Sequence, residues 1–293
     1  MTTVQCAVAR VFTNKGKNGN LLGVVTGIAG LTDGQMQRIA RTLGYSETSF
    51  VFFDTRKGDY RVRFFTPEKE IPFAGHPTIG TLFTLRELGL VKKKKNYVQV
   101  IGPRRIPLEV LPNGAIWMDQ GKPSFSPACT RNLAARLVGA KESDVIDDPM
   151  AVSTGIPVLV IPLASRRALG AARILDPVYQ SVFKKYRTPC IMPFAVDKGQ
   201  VYSRSFVPGF GIAEDPATGG ATGPLAAYIA HRGMIAHNET KLEFTVLQGG
   251  RAKSELLASV SLTRGKVKSA AVGGYCAMER PRRIEVPFTP PRG

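Results

Sequence analysis

One phrase occurs twice in this chain, and that duplication limits its possible folds more than any other feature. Arg63-x-Phe65-x-Pro67 leads through a loop into Gly75-His76-Pro77 and the apolar stretch Thr78 to Leu85. Arg204-x-Phe206-x-Pro208 leads likewise into Glu214-Asp215-Pro216-Ala217-Thr218-Gly219-Gly220-Ala221-Thr222-Gly223-Pro224, then Leu225 to Ile229. The two arginines stand close to half of the 293 residues apart. Each copy reads as a strand, a glycine-bearing loop and an apolar helix opening near a proline. Proline suits a helix's first turn, and glycine lets the exposed backbone N–H groups approach a ligand closely. Two such helix mouths brought face to face would make a pocket with a doubled positive dipole, suited to a carboxylate. His76 stands at one mouth and Asp215 at the other, so the repeat reads as chemistry rather than scaffolding.

A chain of this length forms one large domain or two of about 100–150 residues. The duplication favours two. Residues 1–120 make an N-terminal lobe carrying Glu47 and His76, completed by a C-terminal strand at about 276–293. Residues 121–275 make a C-terminal lobe carrying Asp215, with the boundary at the Pro/Ser-rich stretch Gly121 to Pro127. Strands are expected at Val4 to Phe12, Leu22 to Thr26, Thr48 to Phe53 and Tyr60 to Phe65, the last two joined by a turn at Asp54 to Asp59. Leu31-Thr32-Asp33 opens a helix whose Met36, Ile39, Ala40 and Leu43 fall at helical spacing and which Gly44 ends. Thr78 to Leu90 and Pro224 to Ala230 read as helices apolar on most faces, and such helices belong inside a structure. Strands surrounding one apolar helix in each half make an α+β fold of two barrel-like lobes, not a doubly wound sheet.

Three residues are candidates for chemistry. Glu47, where a polar triplet enters an apolar strand, has the setting that raises a carboxyl pKa and suits proton transfer near neutral pH. Pro77 disfavours helical backbone at His76 and so holds that side chain at the helix mouth. Asp215 stands in the loop of the second copy, where a cap or turn residue is the alternative reading. Four cysteines, Cys6, Cys129, Cys190 and Cys276, are far apart in sequence and read as reduced, partly buried thiols away from both helix mouths. The histidines do not cluster with them, so no metal site is expected.

In Ser46-Glu47-Thr48-Ser49-Phe50-Val51, Arg63-Phe64-Phe65-Thr66-Pro67, Pro72 to Thr81, Glu214 to Gly219 and Gln248-Gly249-Gly250, the chain resembles the PhzF-like family of phenazine-biosynthesis isomerase homologues. The resemblance runs over the full length; the two long loop motifs are its specific part. It implies the diaminopimelate-epimerase-like fold, two β-barrels each around a central helix, with the active site between the lobes and assembly as a homodimer. It implies that Glu47 lifts and returns a proton while His76 and Asp215 bind substrate and tune the transfer. Gly75, Pro77 and Thr78 at one mouth, and Gly219, Gly220, Ala221 and Thr222 at the other, would hold a substrate carboxylate, with no cofactor. Two departures stand out. Family members commonly carry Ser where this chain has Gly220. The racemase cousins place a Cys near each helix mouth, where this chain has Ala74 and Gly220, so proton transfer through one carboxylate fits better than a pair of cysteines.

The expectation is therefore an isomerase of a small carboxylated metabolite. The alternatives are a binding protein that keeps the cleft without turnover, and a lyase or hydrolase using the same acid/base. The N-terminus lacks a basic segment followed by an apolar one, and no apolar run approaches the ~20 residues of a membrane span, so a cytoplasmic location and no membrane partner are expected.

The net charge of +18 raises nucleic-acid binding as a further class. Its best support is the run Lys92 to Lys95 and the tail Arg280-Pro281-Arg282-Arg283. The lysines follow a helix end, where cations complement the dipole, and no aromatic residues interleave with them as in a strand-binding groove. Binding to single- or double-stranded oligonucleotides should therefore be weak, sequence-independent and lost by physiological salt. Fluorescence anisotropy across a salt series checks this; tight, salt-resistant binding to one defined sequence would promote the nucleic-acid reading.

Overall fold

A computed structural model describes residues 2–27, 30–54 and 59–286. The expected turn between Asp54 and Asp59, and the part of the C-terminal strand beyond residue 286, lie outside the described residues. The chain divides into two compact units, Met1–Met118 together with Gly274–Gly293, and Asp119–Gly273.

In the first unit, strand Cys276–Val286 pairs antiparallel with Thr2–Val11, which pairs antiparallel with Asn20–Val25. The sheet continues through Glu47–Asp54 (parallel), Asp59–Phe65 (antiparallel), Asn96–Ile101 (parallel) and Arg104–Val110 (antiparallel). Parallel neighbours need a crossover, and each parallel step has its helix: Asp33–Leu43 for the first and Gly75–Glu87 for the second. The helix Asp33–Leu43 forms where its caps say it should. The Thr32 hydroxyl accepts from the Gln35 amide, the Gln35 side chain accepts from the Thr32 amide, and Gly44 closes the end at a φ of 67°.

Alternation along Glu47–Asp54 divides the strand between two layers. Phe50 joins Met36, Ile39, Ala40 and Phe65 in a core beneath the outer helix, and Phe52 packs against it. Ser49, on the opposite face, accepts a hydrogen bond from Thr81 of the Gly75–Glu87 helix at 2.8 Å. That helix is buried from Gly75 through Leu82 and again at Thr84 and Leu85. Its threonines are compatible with burial because each hydroxyl has an acceptor: Thr78 bonds the Ala74 carbonyl at 2.6 Å and Thr84 the Gly80 carbonyl at 2.8 Å.

The second unit repeats the plan. Met150–Ser153 pairs antiparallel with Pro157–Pro162, followed by Cys190–Asp197 (parallel), Gln200–Ser203 (antiparallel), Lys241–Gln248 (parallel) and Ser254–Thr263 (antiparallel). The helix Gly219–His231 makes one crossover and is buried through nearly all its length. Its Tyr228 stacks edge-on against Phe194 and donates to the Asp148 carbonyl at 2.8 Å. The other crossover contains two helices that the sequence reading missed, Arg166–Ala171 and Asp176–Tyr186, whose Leu169, Tyr179 and Val182 enter a core with Leu159, Ile161 and Ile191.

The two apolar helices start earlier than expected. The first begins at Gly75 rather than Thr78, so His76 and Pro77 lie inside its first turn and His76 is not held out of helical conformation. The reason is that the first N–H groups of any helix have no intrahelical acceptor, so Pro77 there sacrifices no hydrogen bond. The second begins at Gly219 and carries Pro224 within it.

At Gly80 the helix lies close against the sheet: a Cβ there would lie 2.5 Å from Val11 Cγ2 and 2.6 Å from Leu22 Cδ2, both on fully buried residues. A Cβ on Gly220 would meet nothing within 4 Å. Gly80→Val should cost roughly 1–3 kcal/mol by overpacking, whereas Gly220→Ala should leave stability unchanged or raise it by up to about 1 kcal/mol. Urea denaturation of the two variants checks the opposite signs.

Candidate active site

Glu47 opens its strand with its side chain on the same face as Ser49, toward the buried helix. The side chain is 17% exposed, and Oε2 is buried without a hydrogen-bond partner. Burial pushes the carboxyl up to about 7, against a smaller downward pull from Ser46. His76, the second residue of the helix and 4% exposed, brings Nε2 to 3.5 Å from Glu47 Oε2. That separation is longer than a good hydrogen bond. The carboxyl therefore keeps its raised affinity for a proton while an imidazole stands beside it. A carboxyl poised near neutral pH exchanges protons in both directions, which is the property general acid–base chemistry needs.

Gly75 and Thr78 are buried with His76 and Pro77 in the first turn of this helix, and Ala74 is its N-cap residue, without a side-chain cap. The Thr78 hydroxyl is committed to the Ala74 carbonyl. The backbone N–H groups of this turn are therefore what the mouth offers an anion.

The second unit builds a different cluster. Asp215, 7% exposed, ends the strand Ile212–Asp215, and its Oδ2 accepts from the Thr218 hydroxyl at 2.5 Å. Gln248, fully buried at the end of its strand, accepts from the Thr218 amide at 3.1 Å. It also donates to the Asp215 carbonyl at 2.8 Å and to the Thr218 hydroxyl at 3.0 Å. Gly219, Gly220, Ala221 and Thr222 form the first turn of the following helix; Thr222 bonds the Thr218 carbonyl as Thr78 bonds that of Ala74. Gln120 donates to the Gly219 carbonyl at 2.9 Å.

The arginine of each repeated phrase frames the loop beside it. Arg63 grips Glu70 with two hydrogen bonds, at 2.8 and 2.6 Å, and Arg204 grips Glu214 with two at the same distances. Each guanidinium also lies over the phenylalanine two residues on, 5.2 Å from Phe65 and 4.7 Å from Phe206. The sequence presented Arg-x-Phe as a repeat but gave no sign of the acid partners, because the two loops differ in length between arginine and glutamate.

One expectation about the cysteines is corrected. Cys190 is not remote from the second loop: its thiol lies 3.5 Å from Ser205 Oγ, Ser205 pairs with Asp215 across the strands, and the Asp215 charge acts on it. Strand pairing brings together residues that are far apart in sequence. Burial pushes this thiol up to about 12, so it is neutral and no base at physiological pH. Cys6, Cys129 and Cys276 are likewise pushed up by burial, to about 12, about 11 and about 12. A groove of about 680 Å³ in the first unit, lined by Phe52, Arg61, Arg63, Ile71 and Ile101, opens on the sheet face opposite Glu47 and is separate from this chemistry. Among the described residues no three His, Cys, Asp or Glu side chains are grouped to hold a metal, and no helix is long and apolar enough to cross a membrane.

Residues 9–280 match the model of the PhzC-PhzF family, described as phenazine biosynthesis-like protein. The chain belongs to the PhzF family. It is 32% identical over 261 residues to the uncharacterized isomerase YddE of Salmonella typhimurium, covering 86% of this chain and 88% of that one. It is 32% identical over 278 residues to antisense-enhancing sequence 1 of Schizosaccharomyces pombe, covering 89% and 91%. Among solved structures, the PhzF-family protein of Bacillus anthracis superposes with a TM-score of 0.87 at 28% identity, covering 98% of this chain and all of that one. A hydroxyproline epimerase from Agrobacterium vitis shares the fold at 11% identity, with a TM-score of 0.67 and coverage of 96% and 92%. The fold is thus the diaminopimelate-epimerase-like one, and the protein is an isomerase of the PhzF family.

The Glu47 carboxyl carries a sign for stability. Folded Glu47 retains its proton up to about pH 7, whereas in the unfolded chain it loses it near the ordinary value of 4.5. The folded state binds more protons in that window, so stability falls as pH rises from about 4.5 to 7 and levels off above. Glu47→Gln should remove this fall. Its stability relative to wild type, from urea midpoints, should be higher at pH 8 than at pH 5 by on the order of 1–3 kcal/mol.

Proposed function

We propose that this PhzF-family isomerase moves a proton on a small carboxylated metabolite through the single carboxyl of Glu47, without a cofactor. The observation that supports this most directly is the burial of Glu47 Oε2 without a hydrogen bond, with the carboxyl raised to about 7. Ionised, Glu47 takes a proton from a carbon made acidic by the substrate's carboxylate or an adjacent double bond; protonated, it returns the proton to another carbon of the same framework. The proton is conserved and no electrons are exchanged with the enzyme, so the reaction is an isomerisation.

His76 beside Glu47 is assigned to substrate binding and to tuning the proton transfer. Gly75, Pro77 and Thr78 supply the surrounding turn, where outward N–H groups suit an anion. Asp215, with the turn Gly219 to Thr222, is the binding counterpart in the second unit. The structure of the hydroxyproline epimerase was solved with trans-4-hydroxy-L-proline bound, a small carboxylated compound of the size proposed here. All four thiols are pushed well above physiological pH, which supports one carboxyl rather than paired cysteines as the proton carrier.

Solvent exchange tests the assignment before the substrate is known. A panel of small unsaturated and amino carboxylates incubated with enzyme in D₂O should show loss of a C–H proton signal for at least one compound. Glu47→Gln should slow that exchange about 10²–10⁴-fold while leaving affinity within about tenfold. Exchange at the wild-type rate in folded Glu47→Gln would remove Glu47 as the base.

A further inference from the structure

The hydrogen bonds around Thr218 fix the direction of every proton they contain. A backbone N–H can only donate, so the Gln248 atom facing the Thr218 amide is the carbonyl oxygen Oε1. The other end of the amide is then Nε2, which fits its contact with the Asp215 carbonyl, a group that can only accept. Nε2 also meets Thr218 Oγ1, so the hydroxyl oxygen accepts there, and its single proton is directed to Asp215 Oδ2 at 2.5 Å. Reversing the hydroxyl would set its proton against an amide that can only donate.

From this proton count we infer that Gln248 and Thr218 are positioning residues that hold Asp215 as an aimed, ionised carboxylate. The inference rests on the reading of Asp215 as a substrate-binding group. A hydrogen bond donated to the charged form favours that form, and a buried donor with no freedom to rotate away does so most strongly. Gln248 is suited to the task because it is fully buried and stands on a strand between Gln200–Ser203 and Ser254–Thr263.

The ionisable groups nearby each have a setting of their own. Cys190 is neutral, and Arg204 and Glu214 satisfy one another. Lys253 directs its ammonium to the Gly249 carbonyl and has a lowered pKa, chiefly through burial.

The test is titration of the Asp215 carboxyl by NMR in ¹³C-aspartate-labelled protein, assigned with Asp215→Asn, alongside KM and kcat on whichever carboxylate shows exchange. Thr218→Val keeps the shape and removes the donor; Thr218→Ser restores the donor; Gln248→Met fills the space without polar ends. Thr218→Val and Gln248→Met should raise the Asp215 midpoint by about one unit or more, and Thr218→Ser should return it to the wild-type value. KM should rise roughly tenfold in the first two, with kcat changed less. An unmoved midpoint in either variant, folded by near-ultraviolet circular dichroism, overturns the inference. A moved midpoint with unchanged KM upholds the positioning role and instead sinks the assignment of Asp215 to substrate binding.

Discussion

A helix buried along nearly its whole length has chiefly its ends to offer to a polar ligand. Gly75–Glu87 and Gly219–His231 are both of this kind, buried along nearly every residue. Apolar surface of that extent is stable only if strands cover it on all sides, and the parallel crossovers of each unit do so. What stays polar is the first turn, buried like the rest but with leading N–H groups that lack intrahelical acceptors. The most apolar parts of the chain therefore determine where its most polar chemistry lies. Glu47 and His76 meet at one such turn, and Asp215 and Thr218 at the other.

The duplication preserves a frame and changes its contents. Both units retain the forked arginine–glutamate grip, the arginine over phenylalanine and the threonine that bonds the carbonyl four residues back. The first places a buried carboxyl, Glu47, beside a histidine, His76. In the second, the helix position after the leading glycine is Gly220, and the polar work passes to Asp215, Thr218 and Gln248. One frame thus holds two chemically distinct clusters.

Much of this was legible in the sequence, for reasons that differ by residue. The helix Asp33–Leu43 was readable because Thr32, Gln35 and Gly44 act within a few residues of what they cap. The central helices were readable by their apolar content, but their starts were misplaced: Pro77 lies in a first turn, where it forgoes no hydrogen bond, and Pro224 lies inside its helix and does not open it. The helices Arg166–Ala171 and Asp176–Tyr186 carry mixed charge and short apolar runs, and their place is determined by the core they cover. Gln248 was visible as part of a motif, yet its role depends on Thr218, thirty positions earlier along the chain. Likewise, the nearness of Cys190 to Asp215 exists only once their strands have paired.

The arginine grips have a consequence for how this enzyme can be studied. A guanidinium keeps its charge at any pH a protein survives. The bonds from Arg204 to Glu214 and to the carbonyls of Gly170 and Ala172 thus contain no cation that switches off near neutrality. Over the interval in which Glu47 gains and loses its proton, the loops beside both helices are held by donors that do not titrate. If Glu47 carries the proton as proposed, a change in rate across that interval reports on that carboxyl and not on a titrating cation in these loops.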